Sequence, residues 1–419
     1  MLRMRYLYRT IMTRNRNLAS ISISNTISVT ANGFWIMFMP LYFGKIGFTT
    51  GTIALIYTVS SVLTASFYFC GGLISDKFGR RPSALIGRFL GVLGVFFVLL
   101  SSVLSLSTYL ARFFVLWGFF ILWMGSGVRL PATSMILMES SATRHKGRNY
   151  MIAERVLPSI PPSVSVLVGA SLFLSDHFFV LFLVGFLGLL FSFLMLLPIQ
   201  ETFSPDHQTR GRRTPTMPKL DGFLIFLILA FALDGMSAQG LSWYIPVYLG
   251  SNNVLLYGVL ISASTLVIAG FGLISGILID RYGSGPALVP AWLSLAFTVF
   301  LFTTVTTPIQ IILLYSVWAA LDTIDMSVPP LLISERYPKE NRASALGTFS
   351  MIIRSTLFIG PMLSTIVLAI NNSAPFWLKS VFNTIAAFLL IIALRFGKET
   401  VKLKQVNNLD SVGMFKSES

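Results

Sequence analysis

Seven ionisable residues inside long apolar runs of this 419-residue chain are candidates for binding or proton transfer. A charge at the centre of a bilayer costs roughly 2.5–3.5 kcal/mol on insertion scales, so each of these residues needs a partner or a function. Their side chains could bind a charged solute or carry a proton. Three are basic and four are acidic, namely Arg129, Arg155, Arg354, Glu154, Asp234, Asp322 and Asp325.

The basic residues are candidates for binding an anionic solute. Arg155 and Arg354 hold matching positions, because the segment MIAER returns later in the chain as MIIR. Arginine stays ionised, and its planar fork fits a carboxylate or a phosphate. If the two face one cavity from opposite halves, they form an anion site, and Arg129 is a further candidate for substrate binding. The alternative is that local acids such as Glu154 neutralise them.

The acidic residues are candidates for proton coupling. Asp322 and Asp325 are three residues apart and therefore share one helix face. Two neighbouring carboxylates in a low dielectric tend to share one proton. Asp234, near the middle of its apolar run, and Glu154 are further candidates. The alternative is a static network of ion pairs. Asp325 holds roughly the position of Arg129 in the repeat, and the two could pair across the cavity in one conformation.

Polar groups in the first and seventh apolar runs could hydrogen-bond a polar solute, namely Asn25, Asn32, Gln239 and Trp243. Of these, we select the amides Asn32 and Gln239 as candidates for substrate binding. The commoner role of such side chains is to join neighbouring transmembrane helices. The single cysteine, Cys70, excludes an internal disulfide and a thiolate metal cluster. We therefore expect neither a metal nor an organic cofactor.

The composition indicates that these residues belong to an integral membrane protein. The chain is 54% hydrophobic and 11% charged, with a mean hydropathy of +0.77, whereas soluble domains carry about 25% charged residues. The net charge of +15 does not indicate nucleic-acid binding, because the basic residues occupy short loops between apolar runs. These loops instead report the membrane topology.

A membrane-spanning helix needs about 20 apolar residues. The sequence predicts an all-α protein with twelve such helices, α1 to α12, at approximately 18–43, 51–74, 82–105, 109–137, 149–174, 178–198, 221–249, 255–279, 286–306, 309–333, 343–370 and 374–396. Most lysines and arginines fall in the loops on one side, which we call the basic end. Because positive charge stays in the cytoplasm, we expect both termini to be cytoplasmic and the protein to lie in the cell membrane.

A long polar segment divides the predicted helices into two sets of six. We expect an N-terminal bundle over 1–200, a cytoplasmic linker over 201–220, a C-terminal bundle over 221–400 and a polar cytoplasmic tail over 401–419. The linker carries prolines and a basic cluster, which favours a flexible connection. We expect the tail to be disordered.

A charged turn follows the second helix of each half. The first copy, Gly72 to Arg81, reads GLISDKFGRR, and the second, Gly276 to Gly283, reads GILIDRYG. Together with the repeat around Arg155 and Arg354, these turns indicate a duplicated six-helix unit. Such duplication is typical of secondary transporters.

Through these turns the chain resembles the major facilitator superfamily, whose loop between the second and third helices reads G-x-x-x-D-R-x-G-R-K. Lys77 stands in place of the first arginine of this motif, and Arg81 stands in place of its lysine. The resemblance covers roughly residues 18–400. It implies two pseudo-symmetric six-helix bundles, a central cavity lined by α1, α4, α7 and α10, and transport by alternating access.

We expect the first turn to form a latch at the basic end. Gly72 allows close helix approach and Gly79 allows a tight turn. Asp76 can accept hydrogen bonds from backbone N–H groups at a helix start, and the resemblance implies that this helix is α11. The predicted latch comprises Gly72, Asp76, Gly79, Arg80, Arg81 and Glu139, and a weaker second latch comprises Asp280, Arg281, Glu335 and Arg342.

The sequence favours a transporter over an enzyme. We expect proton-coupled movement of a small polar or anionic metabolite by a monomer, with the solute, protons and membrane lipid as its partners. The main alternative is proton-coupled export of drugs or organic cations, with the same carboxylates as ligands. Remote alternatives are a non-transporting sensor and an intramembrane enzyme, which the DTID sequence at Asp322 superficially suggests. No Walker loop is present, so ATP does not drive transport.

Overall fold

The computed structural model describes residues 16–103, 108–141, 146–202, 222–248, 254–305, 307–325, 328–337, 342–357, 359–368, 370–371 and 373–414. Of the predicted linker, Glu201 and Thr202 belong to these residues, and the remainder lies outside them. The described part of the chain is helical and contains no β-strand, as the sequence predicts.

The N-terminal half contains the six predicted helices. They are α1 (Arg16–Trp35, the 3₁₀ turn Ile36–Phe38 and Met39–Lys45), α2 (Thr50–Phe78), α3 (Arg80–Val103), α4 (Thr108–Ser140), α5 (Lys146–Met151, the π-helical segment Ile152–Val156, Leu157–Ser159 and Pro162–Leu174) and α6 (Phe178–Leu196). Asn17 at the start of α1 hydrogen-bonds Ser140 at the end of α4 and Gln200 beyond α6. These three positions therefore lie together at the basic end.

The C-terminal half contains the other six. They are α7 (Gly222–Tyr248), α8 (Val254–Tyr282), α9 (Ser284–Leu301), α10 (Pro308–Asp325 and Val328–Arg336), α11 (Arg342–Thr356 and Ile359–Leu368) and α12 (Ala374–Met414). Within the described residues, ten of the twelve predicted spans are long and apolar enough to cross a membrane. The remaining two, α1 and α11, are interrupted helices.

The end of α12 corrects one expectation. Residues 401–414, expected to be disordered, continue α12 as helix. This stretch contains no proline, and its lysine, glutamine, leucine and valine residues are compatible with a helix. The apolar part of α12 ends at Phe396, so the continuation is a polar extension beyond the membrane-spanning part.

Helix packing repeats between the halves. In the N-terminal half, α1 contacts α5 and α6, α3 contacts α4 and α6, and α2 contacts α4. The equivalent C-terminal contacts, α7 with α11 and α12, α9 with α10 and α12, and α8 with α10, are present as well. Between the halves, α2 packs on α11 and α5 packs on α8, and the same symmetry exchanges these two pairs. The structure therefore confirms two pseudo-symmetric six-helix bundles.

Glycines form the tight turns and the close helix crossings. Gly79 and Gly283 have φ of +106° and +87° and separate α2 from α3 and α8 from α9, a conformation that glycine adopts at no steric cost. At the α2–α11 crossing, an ideal Cβ on Gly347 would lie 2.5 Å from the carbonyl oxygen of Tyr68 and 3.3 Å from Cα of Gly72. The backbones of the two halves are therefore in contact there, as expected for Gly72.

We predict that Gly347→Ala lowers the melting temperature of the purified protein, because the added methyl group would meet backbone atoms that cannot rotate away. Gly270→Ala on α8 is the matched control, since nothing lies within 4 Å of its Cβ position. Alanine is about 1 kcal/mol better than glycine within a helix, so the control should melt at or above the wild-type temperature. Equal melting temperatures of the two variants would contradict the close crossing.

Candidate functional site

Asn25 joins the charged side chains of the N-terminal half. Its Nδ2 donates to Glu154 Oε1 at 2.9 Å, and its Oδ1 accepts from Arg88 Nη2 and Arg129 Nη1, both at 3.0 Å. Arg88 Nη1 also donates to Ser28 Oγ at 2.6 Å. The three ionisable residues lie eight to eleven positions from the basic end of their helices, or about 12–17 Å at 1.5 Å per residue. One amide thus links α1, α3, α4 and α5 deep in the bundle.

This network is buried on one side and accessible on the other. Arg88 and Asn25 are each 4% exposed, whereas Arg129, Glu154 and Arg155 are half-buried. Glu154 and Arg155 lie in the π-helical segment of α5, and such segments occur frequently at functional sites. The half-buried side chains are the ones that a solute could reach.

The C-terminal half buries an ion pair at its centre. Lys379 Nζ of α12 lies 2.8 Å from Asp234 Oδ1 of α7, with the lysine side chain fully buried. Asp325 of α10 is also buried and accepts a hydrogen bond from Trp292 Nε1 of α9 at 3.1 Å. Two of the three predicted proton-coupling aspartates in this half therefore have donors from their own bundle.

Asp322 is the aspartate of this group that also interacts with the other half. It is half-buried. It interacts electrostatically with Asp234 and Lys379 in its own half and with Arg155 in the N-terminal half. Of the three C-terminal carboxylates, Asp322 is thus the most accessible from between the bundles.

The expected pair between Arg129 and Asp325 does not form in this conformation. Arg129 donates to Asn25, and Asp325 accepts from Trp292. The reason is that each bundle offers its charged groups nearer partners on its own helices. The sequence predicted this pair for one conformation, and for conformations other than this one it stays a prediction.

Arg354 connects the two halves. Its Nη2 donates to Tyr68 Oη at 3.1 Å, and its guanidinium carbon lies 4.6 Å from the centre of the same ring. Tyr68 belongs to α2, so this arginine of α11 contacts the opposite bundle. Arg155, its counterpart in the repeat, interacts instead with Asp322 of α10. The two arginines therefore have different partners despite their matching positions.

The two selected amides are both half-buried, Asn32 on α1 and Gln239 on α7. Asn32 Oδ1 is buried without a hydrogen-bond partner among the described residues, which leaves an acceptor available. Among the described residues, no three or more histidine, cysteine or carboxylate side chains lie together so that they could hold a metal ion.

The residues of the first predicted latch meet at the basic end. Asp76 Oδ2 accepts a hydrogen bond from the backbone N of Ser344, in the first turn of α11, at 2.7 Å. Arg80 is buried and forms an ion pair with Glu139 of α4. Arg342 Nη1 lies 3.9 Å from the other oxygen of Glu139. Arg342, which we expected in the second latch, thus contacts the first latch, because it is the first residue of α11 and this helix packs on the N-terminal half.

The second turn makes the symmetric contact. Asp280 Oδ2 accepts a hydrogen bond from the backbone N of Arg148, in the first turn of α5, at 3.1 Å. Glu335 is exposed, and the Arg281 guanidinium carbon lies 5.3 Å from the ring centre of its neighbour Tyr282. Each half therefore places one aspartate at the start of a helix in the other half.

Glu201 is a structural residue of the latch region that the sequence analysis missed. Its two carboxylate oxygens accept hydrogen bonds from the backbone N of Arg80 at 3.1 Å and of Arg81 at 3.0 Å. A carboxylate is favoured at a helix start by the helix dipole. Glu201 thus caps α3 directly after the Gly79 turn. Arg81 itself is exposed and donates through Nη2 to the carbonyl of Leu197.

The sequence analysis also missed Arg88 and Lys379. Both carry the signal that selected the other seven residues, a charge within a predicted span, at 82–105 and 374–396. The structure buries both side chains inside the bundles.

Twelve helices in two symmetric bundles, with charged side chains between them, define a membrane transporter. The chain belongs to the major facilitator superfamily, whose sequence profile matches residues 21–331 and 227–413 in two overlapping segments. The protein is therefore a multi-pass membrane protein of the transporter class and not an enzyme.

Two relatives are similar to part of the chain. The multi-drug resistance efflux pump PmrA of Streptococcus pneumoniae is 30% identical over 173 residues, which is 39% of this chain and 41% of that protein. The tetracycline resistance protein, class H, of Pasteurella multocida is 28% identical over 184 residues, 43% of this chain and 45% of that protein. Each match spans less than half the length of the relative.

The fold is similar to that of solved transporters. The structure of the human organic anion transporter MFSD10 (TETRAN) superposes with a TM-score of 0.69, covering 90% of this chain and 99% of that one. The two sequences are 16% identical, so this likeness concerns the fold alone.

We predict that Lys379→Met destabilises the protein strongly, because it leaves Asp234 buried without its counter-ion. Breaking a buried ion pair costs about 3–5 kcal/mol. The double variant Asp234→Asn with Lys379→Met should recover most of this loss. Lys45→Met is the matched control, since it removes a lysine whose ion pair with Asp176 is exposed, where the cost is about 0–1 kcal/mol. Thermal unfolding in detergent measures the stability of all three variants. Equal losses of stability in Lys379→Met and Lys45→Met would contradict the buried ion pair between Lys379 and Asp234.

We predict that Asp76→Asn opens the basic end more often. Loss of the anion at the start of α11 costs about 1 kcal/mol, or roughly fivefold in the ratio of closed to open states. A Ser344→Cys reporter, buried in the closed state, in a Cys70→Ser background should be alkylated faster by a similar factor. Lys77→Gln removes an exposed charge from the same turn and should leave the rate unchanged. Identical rates in both variants would refute the latch.

Proposed function

We propose that the protein is a secondary active transporter that moves a small polar or anionic solute by alternating access, coupled to protons. The observation that carries this proposal is the opposite charge of the two bundles at their centres. The N-terminal bundle has three guanidinium groups and one carboxylate, and the C-terminal bundle has three carboxylates, one ammonium and one guanidinium. They are Arg88, Arg129, Arg155 and Glu154 in the first, and Asp234, Asp322, Asp325, Lys379 and Arg354 in the second.

In this proposal the accessible arginines bind the solute and the accessible aspartate carries the proton. Arg129 and Arg155 take the anionic group, while Arg354, Asn32 and Gln239 supply further polar contacts. Protonation of an Asp322 oxygen neutralises that carboxylate and weakens its attraction for Arg155, which then binds the solute. The protonation of Asp322 and the binding of the solute are adjusted by three further carboxylates that interact with Asp322 or with the arginines, namely Asp234, Asp325 and Glu154. Solute and proton therefore bind together, as symport requires.

The contacts at the basic end support a state closed on that side. Asp76 holds the start of α11 and Asp280 holds the start of α5, so both inter-bundle helix pairs are tied there. Because positive loops stay in the cytoplasm, we assign this end to the cytoplasm, together with both termini, and the protein to the cell membrane. The conformation is then outward-facing. The six-helix units over 1–200 and 221–400 would rock about the central charges.

Proton-coupled export of organic cations is the second candidate. PmrA and the tetracycline resistance protein are named for drug efflux and drug resistance. Aromatic rings also lie near the carboxylates, because Tyr315 interacts electrostatically with Asp322. Tyr315 packs against Trp318 with ring centres 5.6 Å apart. Aromatic faces attract organic cations, and Asp322 could bind one in place of a proton.

Uptake by the purified protein in liposomes tests the proposal. With an inward proton gradient, we expect accumulation of labelled monocarboxylates such as lactate, and not of the lipophilic cation tetraphenylphosphonium. Arg155→Gln should abolish uptake, and Asp322→Asn should leave exchange but remove its dependence on the gradient. Arg112→Gln is the control, because Arg112 bonds the carbonyls of Ile46 and Gly47 away from the centre. Movement of the cation alone, unaffected by Arg155→Gln, would favour the second candidate.

A further inference from the structure

We infer that the network around Asn25 holds one positive charge more than its own residues balance, and that the anionic group of a monoanionic solute supplies the missing charge. This inference rests on the proposed transport of an anion and narrows the substrate to monoanions. It also assigns a function to Arg88, which lies behind the accessible surface of the site.

The two guanidinium groups of the network donate to neutral oxygens. Arg88 reaches Ser28 Oγ and Asn25 Oδ1, and Arg129 reaches the same oxygen of Asn25. Arg88 Nε is buried and has no hydrogen-bond partner among the described residues. Within the described part of the chain, neither arginine forms an ion pair with a carboxylate. Both cations therefore have hydrogen bonds but no direct counter-ion.

Glu154 is the carboxylate of this network, and it bonds to the amide. Its Oε1 accepts from Asn25 Nδ2, while the amide oxygen faces both arginines. The dipole of Asn25 is thus oriented by the charges on its two sides. One carboxylate can balance one guanidinium, and the second remains uncompensated in a low-dielectric interior. An uncompensated buried charge carries a penalty of several kcal/mol, which a bound anion would relieve.

The position of the excess charge indicates where the solute binds. Arg88 is buried, while Arg129 and Glu154 are half-buried. The anion would contact Arg129, and Arg88 would act from behind as a positioning residue that holds Asn25 and contributes charge. For the network of Arg88, Arg129 and Glu154, counted without Arg155, a neutral solute would leave the excess in place, and a dianion would reverse its sign. A single carboxylate or a singly charged phosphate ester satisfies the balance.

Two substitutions, Ser28→Asp and Glu154→Gln, change the charge balance of the network in opposite directions. Ser28→Asp places a carboxylate beside Arg88 and should remove the need for an external anion. Ser24→Asp is its matched control one turn away on α1, because Ser24 bonds Ser192 and no cation. Glu154→Gln keeps an oxygen for Asn25 but removes the negative charge. Arg88→Gln is a second route to a balanced network should Ser28→Asp fail to fold.

The measurement is the melting temperature of the full-length protein, in a buffer with sulfate as background anion, against added lactate, chloride or succinate. Lactate should stabilise the wild type, since a ligand of the native state raises its stability. Its apparent affinity should rise about tenfold or more in Glu154→Gln and fall by as much in Ser28→Asp and Arg88→Gln, as for other changes at buried charge pairs. Without ligand, Ser28→Asp should melt well above Ser24→Asp.

The outcomes separate this inference from the proposed function. Stabilisation by lactate alone supports a carboxylate-bearing solute, and equal stabilisation by chloride supports a monoanion site of low selectivity. No stabilisation by either, stabilisation by succinate alone, or lactate affinity unchanged across the variants would overturn the inference. Any of these three outcomes would still be compatible with the proposal that the protein transports another solute. Conversely, lactate binding that follows the predicted order without uptake of any monoanion would reject the transport proposal and retain the site.

Discussion

A charge held inside a membrane protein must be balanced by another charge, and this constraint shapes the centre of the molecule. The C-terminal bundle meets it directly, because the ammonium of Lys379 lies against the carboxylate of Asp234. The N-terminal bundle meets it incompletely, because Arg88 and Arg129 share the neutral oxygen of Asn25. The bundles thus face each other with opposite excess charge. We interpret that asymmetry as the basis of solute and proton binding.

At the basic end, aspartate carboxylates are stabilised by backbone N–H groups at the starts of helices. Asp76 binds the first turn of α11, and Asp280 binds the first turn of α5. These two helices also carry Arg354 and Arg155, ten and seven residues beyond the bonded amides. Release of either carboxylate would therefore free the helix that holds a central arginine. The latch and the central charges are connected through two rigid helices, which gives binding at the centre a physical route to the closed end.

Much of the fold was predictable from the sequence, and the pairing of charges was less so. Long apolar runs predicted all twelve helices. The charged turn predicted that Asp76 accepts from a helix start, and the resemblance to the superfamily implied that this helix is α11, where Ser344 N donates to Asp76. The partner of Lys379 was not predictable, because the helix packing that brings α12 against α7 is needed to place it beside Asp234. Arg342 was predicted in the second latch, and its contact with Glu139 of the first depends on the packing of α11 on the N-terminal half. The helical extension to Met414 was missed because polar composition alone does not exclude a helix.

In the proposed mechanism, an anion takes the place of Asp322 beside Arg155, and Asp322 then takes up a proton. Calorimetric titration of the purified protein with a transported anion, in two buffers of different ionisation enthalpy, counts the protons exchanged on binding. We expect net uptake of about one proton per anion bound, since a carboxylate deprived of its cationic neighbour favours its neutral form. Net release of protons would contradict it, because release is the signature of a cation displacing a proton from the same carboxylate.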